Sequence, residues 1–193
     1  MPRLLLIRPG VTEYDQQGRI QGTLDIPLSE DGRVQAESLA DTVRQAAVEA
    51  VYASPCQSAQ QTAKLLAAAA DVKLKSVEKL QNLDYGLWQG MLVDDVKTKQ
   101  PKVYRQWQEQ PETVCPPQGE TVTIAKQRVT EALKKIVKRH KPESAIAVVA
   151  PEPVASLIRH VLLQEDLGDF WNAADGCGSV EVLEVEAAPA GVA

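Results

Sequence analysis

Leu4-Leu5-Leu6-Ile7-Arg8-Pro9-Gly10 is an apolar run that stops abruptly at a charge and a Pro-Gly pair. Four branched apolar residues followed by turn residues predict a short strand, buried on both faces, that runs into a turn. The run Ala145-Ile-Ala-Val-Val-Ala150 has the same character and ends at Pro151-Glu152-Pro153. Ala50-Val-Tyr-Ala53, broken by Ser54-Pro55, is a third. Val72 to Val77 and Val180 to Val185 alternate apolar and polar residues, as strands do.

Helical periodicity fills the intervals. Ser29 opens a helix whose stripe holds Ala36, Leu39, Ala40, Val43 and Ala47, and Ala59, Ala63, Leu66 and Ala70 share a face in the next. Glu120 to His140 carries Val122, Ala125, Val129, Leu133 and Ile136 at core spacing. A further helix carries Val154, Leu157, Ile158, Val161 and Leu162. Residues 78–118 are irregular and rich in Gln and Pro, with two short helices expected near 92–99 and 101–109. Strands alternating with helices predict an α/β fold, a three-layer sandwich with a mostly parallel central sheet and helices on both faces. Residues 1–186 are expected to form one domain, and 187–193 a disordered tail. Ligands of such sheets sit beyond the carboxyl ends of the strands, which points to 8–23, 54–58, 82–90 and 150–153.

The chain has 193 residues, 44% of them hydrophobic, and a formal charge of -5. That balance argues against a nucleic-acid binder. Lys126, Arg128, Lys134, Lys135, Lys138, Arg139 and Lys141 concentrate positive charge on one helix, where a solvated outer face accounts for them better than a binding patch. Cys56, Cys115 and Cys177 have no paired spacing and suit a reducing cytoplasm. With His140 and His160 they form no recognisable metal site. The apolar run at the N-terminus is too short for a membrane span or a signal core.

The ligand-side segments resemble the histidine phosphatase superfamily, which includes the cofactor-dependent phosphoglycerate mutases. Leu6-Ile7-Arg8-Pro9-Gly10-Val11-Thr12-Glu13 is similar to its opening Arg-His-Gly-Glu-Thr signature. Gly18-Arg-Ile-Gln21-Gly22 and Leu24-Asp-Ile-Pro-Leu-Ser-Glu-Asp-Gly32 resemble its next segment. Tyr52-Ala-Ser-Pro-Cys-Gln-Ser58 resembles the second signature, with an arginine in the family at position 58. Leu80-Gln-Asn82 resembles the acid-bearing segment, and Ala147-Val-Val-Ala-Pro151-Glu152 the last, where the family has His-Gly. The likeness runs from about residue 3 to 185.

The resemblance implies a pocket built from Arg8, Pro9, Asp15, Gln21, Gly22, Ser58, Asn82, Pro151 and Glu152. It also implies departures. The family's first histidine carries phosphorus as phosphohistidine, and Pro9 offers no nucleophilic lone pair. Ser58 forms no guanidinium clamp, Asn82 is no acid, and Pro151 removes the second imidazole. Arg8 stands against Asp15 and Glu152, and its expected partners are Glu152 first and Asp15 second. These departures predict no catalytic residue, no cofactor and no metal. They predict a catalytically inactive relative serving as a protein-binding or regulatory module, with an unidentified protein partner, no nucleic-acid or membrane partner, and a homodimer as a possible state. The alternatives are a phosphomonoesterase or mutase-type enzyme with residual or altered activity, and a small-molecule sensor using the reshaped pocket. Cys56 and His160 read as structural. Trp88 and Trp107 fit a ligand groove or plain packing.

Overall fold

The computed structural model describes residues 2–168, 170–171 and 173–184. Five strands form one sheet: β1 (Arg3–Ile7), β2 (Ala50–Ala53), β3 (Lys73–Ser76), β4 (Ala145–Val149) and β5 (Val180–Leu183), in the order β3-β2-β4-β1-β5. β1 pairs with β4, β4 with β2 and β2 with β3 in parallel, and β5 closes the far edge antiparallel to β1. The expected end of the last strand at Val185 and the expected tail fall outside the described residues.

The period-two geometry of a strand divides the apolar runs between two cores. Leu4, Leu6, Tyr52, Ile146 and Val148 face one layer, which contains α5 (Val93–Lys99), α6 (Pro101–Glu109), α7 (Val122–Val137) and α8 (Val154–Leu163). Leu5, Ile7, Val51, Ala147 and Val149 face the other, against α3 (Ala40–Gln45) and α4 (Gln57–Ala70). Two short helices, α1 (Glu13–Gln16) and α2 (Glu30–Ser38), lie in the connection after β1. Both central strands are covered on both sides, so neither alternates in polarity. β3 is an edge strand with outward lysines, which blunt an exposed row of backbone groups.

The helix expected through Ala47 is divided. The Leu39 N–H bonds the Ala36 carbonyl at 3.3 Å, a tight turn that separates α2 from α3. Ala47 lies beyond the end of α3 with a φ of 50°, exposed, and Val48 is buried instead. The long helix begins at Val122, where Thr121 accepts from the Ile124 N–H. Among the described residues no helix is long and apolar enough to cross a membrane.

Trp88 and Trp107 belong to the aromatic half of the larger core. Their ring centroids are 5.8 Å apart at an interplanar angle of 87°, and Trp171 packs 5.9 Å from Trp88. Neither lines the main cavity; packing explains both.

Candidate active site

β1 and β4 end side by side, with Ile7 opposite Val149, so the residues that follow each strand emerge together. Arg8 and Pro9 come from one, Pro151 and Glu152 from the other. These four line a single cavity together with Asp15, Gln21, Gly22, Ser58 and Asn82. The same wall contains residues outside the expected pocket set: Arg19, Ile20 and Tyr85 within the strand-end segments 8–23 and 82–90, and Val93, Phe170, Trp171 and Cys177 beyond them. Arg19 was within reach of the sequence, inside the Gly18–Gly22 run. Phe170, Trp171 and Cys177 come from the segment before β5 and carried no local signal.

Gly10 is required where the chain turns into the site. A Cβ there would stand 1.9 Å from the Gly32 carbonyl oxygen, too close for any side chain.

Arg8 is the organising charge. Its Nε donates to Glu152 Oε1 at 2.5 Å, with both side chains 12% exposed. The second oxygen, Glu152 Oε2, accepts from the Ser156 N–H at 3.1 Å, in the first turn of α8. One carboxylate thus receives a guanidinium and a helix N-terminal amide, two groups suited to an anion. The second carboxylate near Arg8 is Glu181, 3.8 Å from Nη1. Asp15, expected in that role, is committed elsewhere. It accepts from the Thr12 N–H and hydroxyl, each at 2.8 Å, in the capping box that opens α1. Burial raises its pKa above the ordinary carboxylate value, and the Thr12 hydrogen bonds oppose that only in part.

The remaining lining is mostly neutral. Ser58 is buried in the first turn of α4, with its hydroxyl 3.8 Å from Cys56 Sγ. Asn82 Oδ1 accepts from the Leu83 N–H at 2.8 Å. Gln21 Oε1 lies 3.1 Å from the Thr12 hydroxyl. Gly22 has a φ of 58°, and a Cβ there would stand 2.2 Å from Gln89 Oε1. The Cys177 thiol is pushed up to about 12, by burial first and then by the carboxylates of Asp15 and Glu152. It stays protonated, and a protonated thiol is a poor nucleophile.

Arg128 departs from the expected solvated face. Its guanidinium donates to the carbonyls of Lys79, Gln81 and Asn82 and pairs with Glu120, both side chains 18% exposed. Glu120 accepts in turn from the Asp84 N–H at 3.2 Å. This clamp fixes the backbone that presents Asn82 and Tyr85 to the cavity. Neither histidine lines the cavity. His140 contacts Glu49 and Tyr52, and His160 Nδ1 lies 2.6 Å from the Glu165 carbonyl.

Residues 4–190 match the family model of the histidine phosphatase superfamily, branch 1. The chain belongs to that superfamily. Phosphoserine phosphatase 1 of Hydrogenobacter thermophilus is 32% identical over 186 residues, 96% of this chain and 88% of the relative. The metal-independent phosphoserine phosphatase of Arabidopsis thaliana is 28% identical over 174 residues, 89% of this chain and 73% of that protein. The structure of mycobacterial glucosyl-3-phosphoglycerate phosphatase complexed with VO3 superposes with a TM-score of 0.84 at 25% identity. That match covers 95% of this chain and 93% of that one.

Superfamily membership confirms the expected α/β architecture, and the relatives correct the expected function. The reading as a catalytically inactive protein-binding or regulatory module is overturned by relatives that match most of this chain and are named as phosphatases. The alternative of a phosphomonoesterase with residual or altered activity fits better. Glu152, the partner expected for Arg8, sits where the guanidinium and the Ser156 N–H converge, a position suited to an anion.

Proposed function

We propose that this chain is a phosphomonoester hydrolase of altered chemistry, acting at the cavity beyond β1 and β4. The observation that carries the proposal is the convergence of the Arg8 guanidinium and the Ser156 N–H on one anionic group. Glu152 holds that position in the resting state. A substrate phosphate takes it when the Glu152 side chain turns away, with Arg19 as the second cation of the wall. Kinship with phosphatases at 32% identity supports the reading.

The chemistry differs from that of the family. Pro9 and Pro151 occupy the positions where the resemblance places histidines, and a proline nitrogen within the chain has no lone pair for phosphorus. Hydrolysis therefore proceeds by direct attack of water. The P–O bond to the leaving alcohol breaks as a P–O bond to water forms. Asp15, whose raised pKa brings it nearer to working pH, takes the water's proton, and the departing alkoxide on the opposite side of phosphorus takes one from solvent. The products are the free alcohol and inorganic phosphate. Arg8 and the α8 amide stabilise charge on the phosphoryl oxygens, where phosphoryl transfer gains most. The single domain over 1–186 belongs to the same proposal.

The test is phosphate release from an aryl phosphate and from phosphoserine, measured from about pH 4 to 9. Saturable release that falls sharply in Asp15→Asn is expected. Release no faster than from buffer, at every pH and with both substrates, sinks the proposal.

A further inference from the structure

A second groove, of about 270 Å³, lies on the layer opposite α4, between the edge strand β3 and α7. Its floor is apolar: Tyr52 is 1% exposed, Ala132 and Ile136 are each 2% exposed, and Val77 is half-buried. Its rim carries Lys75, Lys79, Lys135 and Arg139, with Glu78 as the one acidic lining residue. Lys79 is paired with Glu131. Lys75, Lys135 and Arg139 make no ion pair among the described residues. The groove is therefore net positive on a chain whose overall charge is -5.

Lys75 is positioned in a specific way. Its Nζ donates to the Tyr52 hydroxyl at 3.4 Å, and Tyr52 Oη lies 2.8 Å from His140 Nε2. His140 Nδ1 lies 2.9 Å from Glu49 Oε2. An ammonium can only donate, so the Tyr52 oxygen accepts from Lys75, and His140 bridges Tyr52 and Glu49 through its two ring nitrogens. The phenol thus anchors the Lys75 ammonium at the wall of the groove. Three cations outside any ion pair, against the single lining carboxylate Glu78, suit a ligand with at least two negative charges and a flat apolar part.

We infer that this groove binds an organic oligophosphate, such as a nucleoside di- or triphosphate, at a site separate from the cavity beyond β1 and β4. The phosphates sit among Lys75, Lys135 and Arg139, and the apolar group rests on Val77, the apolar lining residue that stays partly exposed.

The test is calorimetric titration of the full chain with ATP and with inorganic tripolyphosphate at about 0.15 M salt, where loose surface attraction is largely screened. Saturable ATP binding with a Kd below about 1 mM is expected. The double variant Lys135→Glu, Arg139→Glu, at exposed positions, is expected to weaken it at least tenfold, roughly 1.4 kcal/mol. Arg8→Lys is expected to leave it unchanged. Binding that survives the charge reversal but falls in Arg8→Lys assigns ATP to the first cavity and overturns the inference. Non-saturable binding overturns it as well. Tripolyphosphate binding as tightly as ATP overturns the role given to the apolar floor.

Discussion

Arg8 and Glu152 are 144 residues apart in sequence and meet at 2.5 Å in the cavity, while the second oxygen of Glu152 caps α8 through Ser156. Glu152 is therefore an internal competitor for any phosphate. Glu152→Ala removes the competitor and leaves the guanidinium with only the more distant Glu181, 3.8 Å from Nη1. Separating a buried pair costs about 3–5 kcal/mol. This pair keeps some solvent contact, so a loss of about 2 kcal/mol is expected in phosphate-free buffer. Added inorganic phosphate restores the stability through binding, and its affinity is at least about tenfold higher than for the unaltered chain. Thermal melts with and without phosphate check both statements.

Asp15 makes stability depend on pH in a direction its environment fixes. Burial raises its pKa, so the folded chain binds that proton more tightly than the unfolded one. The ionised carboxylate thus costs stability above the raised value. The cost shrinks as pH falls through that value and is gone below the ordinary 3.8. Asp15→Asn keeps an oxygen for the two Thr12 hydrogen bonds and carries no charge. The variant is expected to melt higher than the parent at neutral pH, with the difference closing in acid. Its phosphate release is expected to fall by about 10²–10⁴, the usual range for a lost acid–base group. A neutral-pH melting point below the parent's contradicts the burial account.

Arg128→Ala strips three backbone carbonyls and Glu120 of their donor. A loss of about 1–3 kcal/mol is expected, because the partly buried Asn82 carbonyl and Glu120 carboxylate lose a charged donor, while the exposed Lys79 and Gln81 carbonyls turn to water. Arg128→Lys recovers little, since an ammonium does not reach several carbonyls in one plane. Denaturant midpoints measure the loss. Faster amide exchange across 79–85 separates a loosened segment from general destabilisation.

Much of this molecule is legible in its sequence because local chemistry decides it. The runs 4–7 and 145–150 are continuous in apolar residues because both faces of β1 and β4 are covered. Their proline-marked ends locate the cavity, since parallel neighbours finish at the same edge. The pairing of Arg8 with Glu152 follows from a desolvated guanidinium needing a carboxylate at that edge. Other features depend on distances that no pattern encodes. Glu181 reaches Arg8 only because β5 pairs antiparallel to β1. Arg128 looks like one more solvated cation until the 79–82 backbone is laid beside α7. The break at Leu39 interrupts an apolar stripe that reads as continuous. The chain Lys75–Tyr52–His140–Glu49 joins β2, β3, the residue before β2 and the residues after α7, with no shared motif. The inactive function read from the departures at Pro9, Ser58, Asn82 and Pro151 is overturned by relatives named as phosphatases, because a count of lost groups does not weigh the anion geometry that Arg8 and α8 keep.

The most direct test of the account is the rate of aryl phosphate hydrolysis by the unaltered chain beside Arg8→Ala and Arg8→Lys. Arg8 is assigned the substrate phosphate, so kcat/KM is expected to fall at least about a hundredfold in Arg8→Ala, roughly 2.7 kcal/mol of transition-state stabilisation. Arg8→Lys, which keeps the charge without the planar fork, should lie between. Circular dichroism on the same samples establishes that each variant is folded. Equal rates in all three chains, or no saturable hydrolysis by the unaltered one, contradict the account.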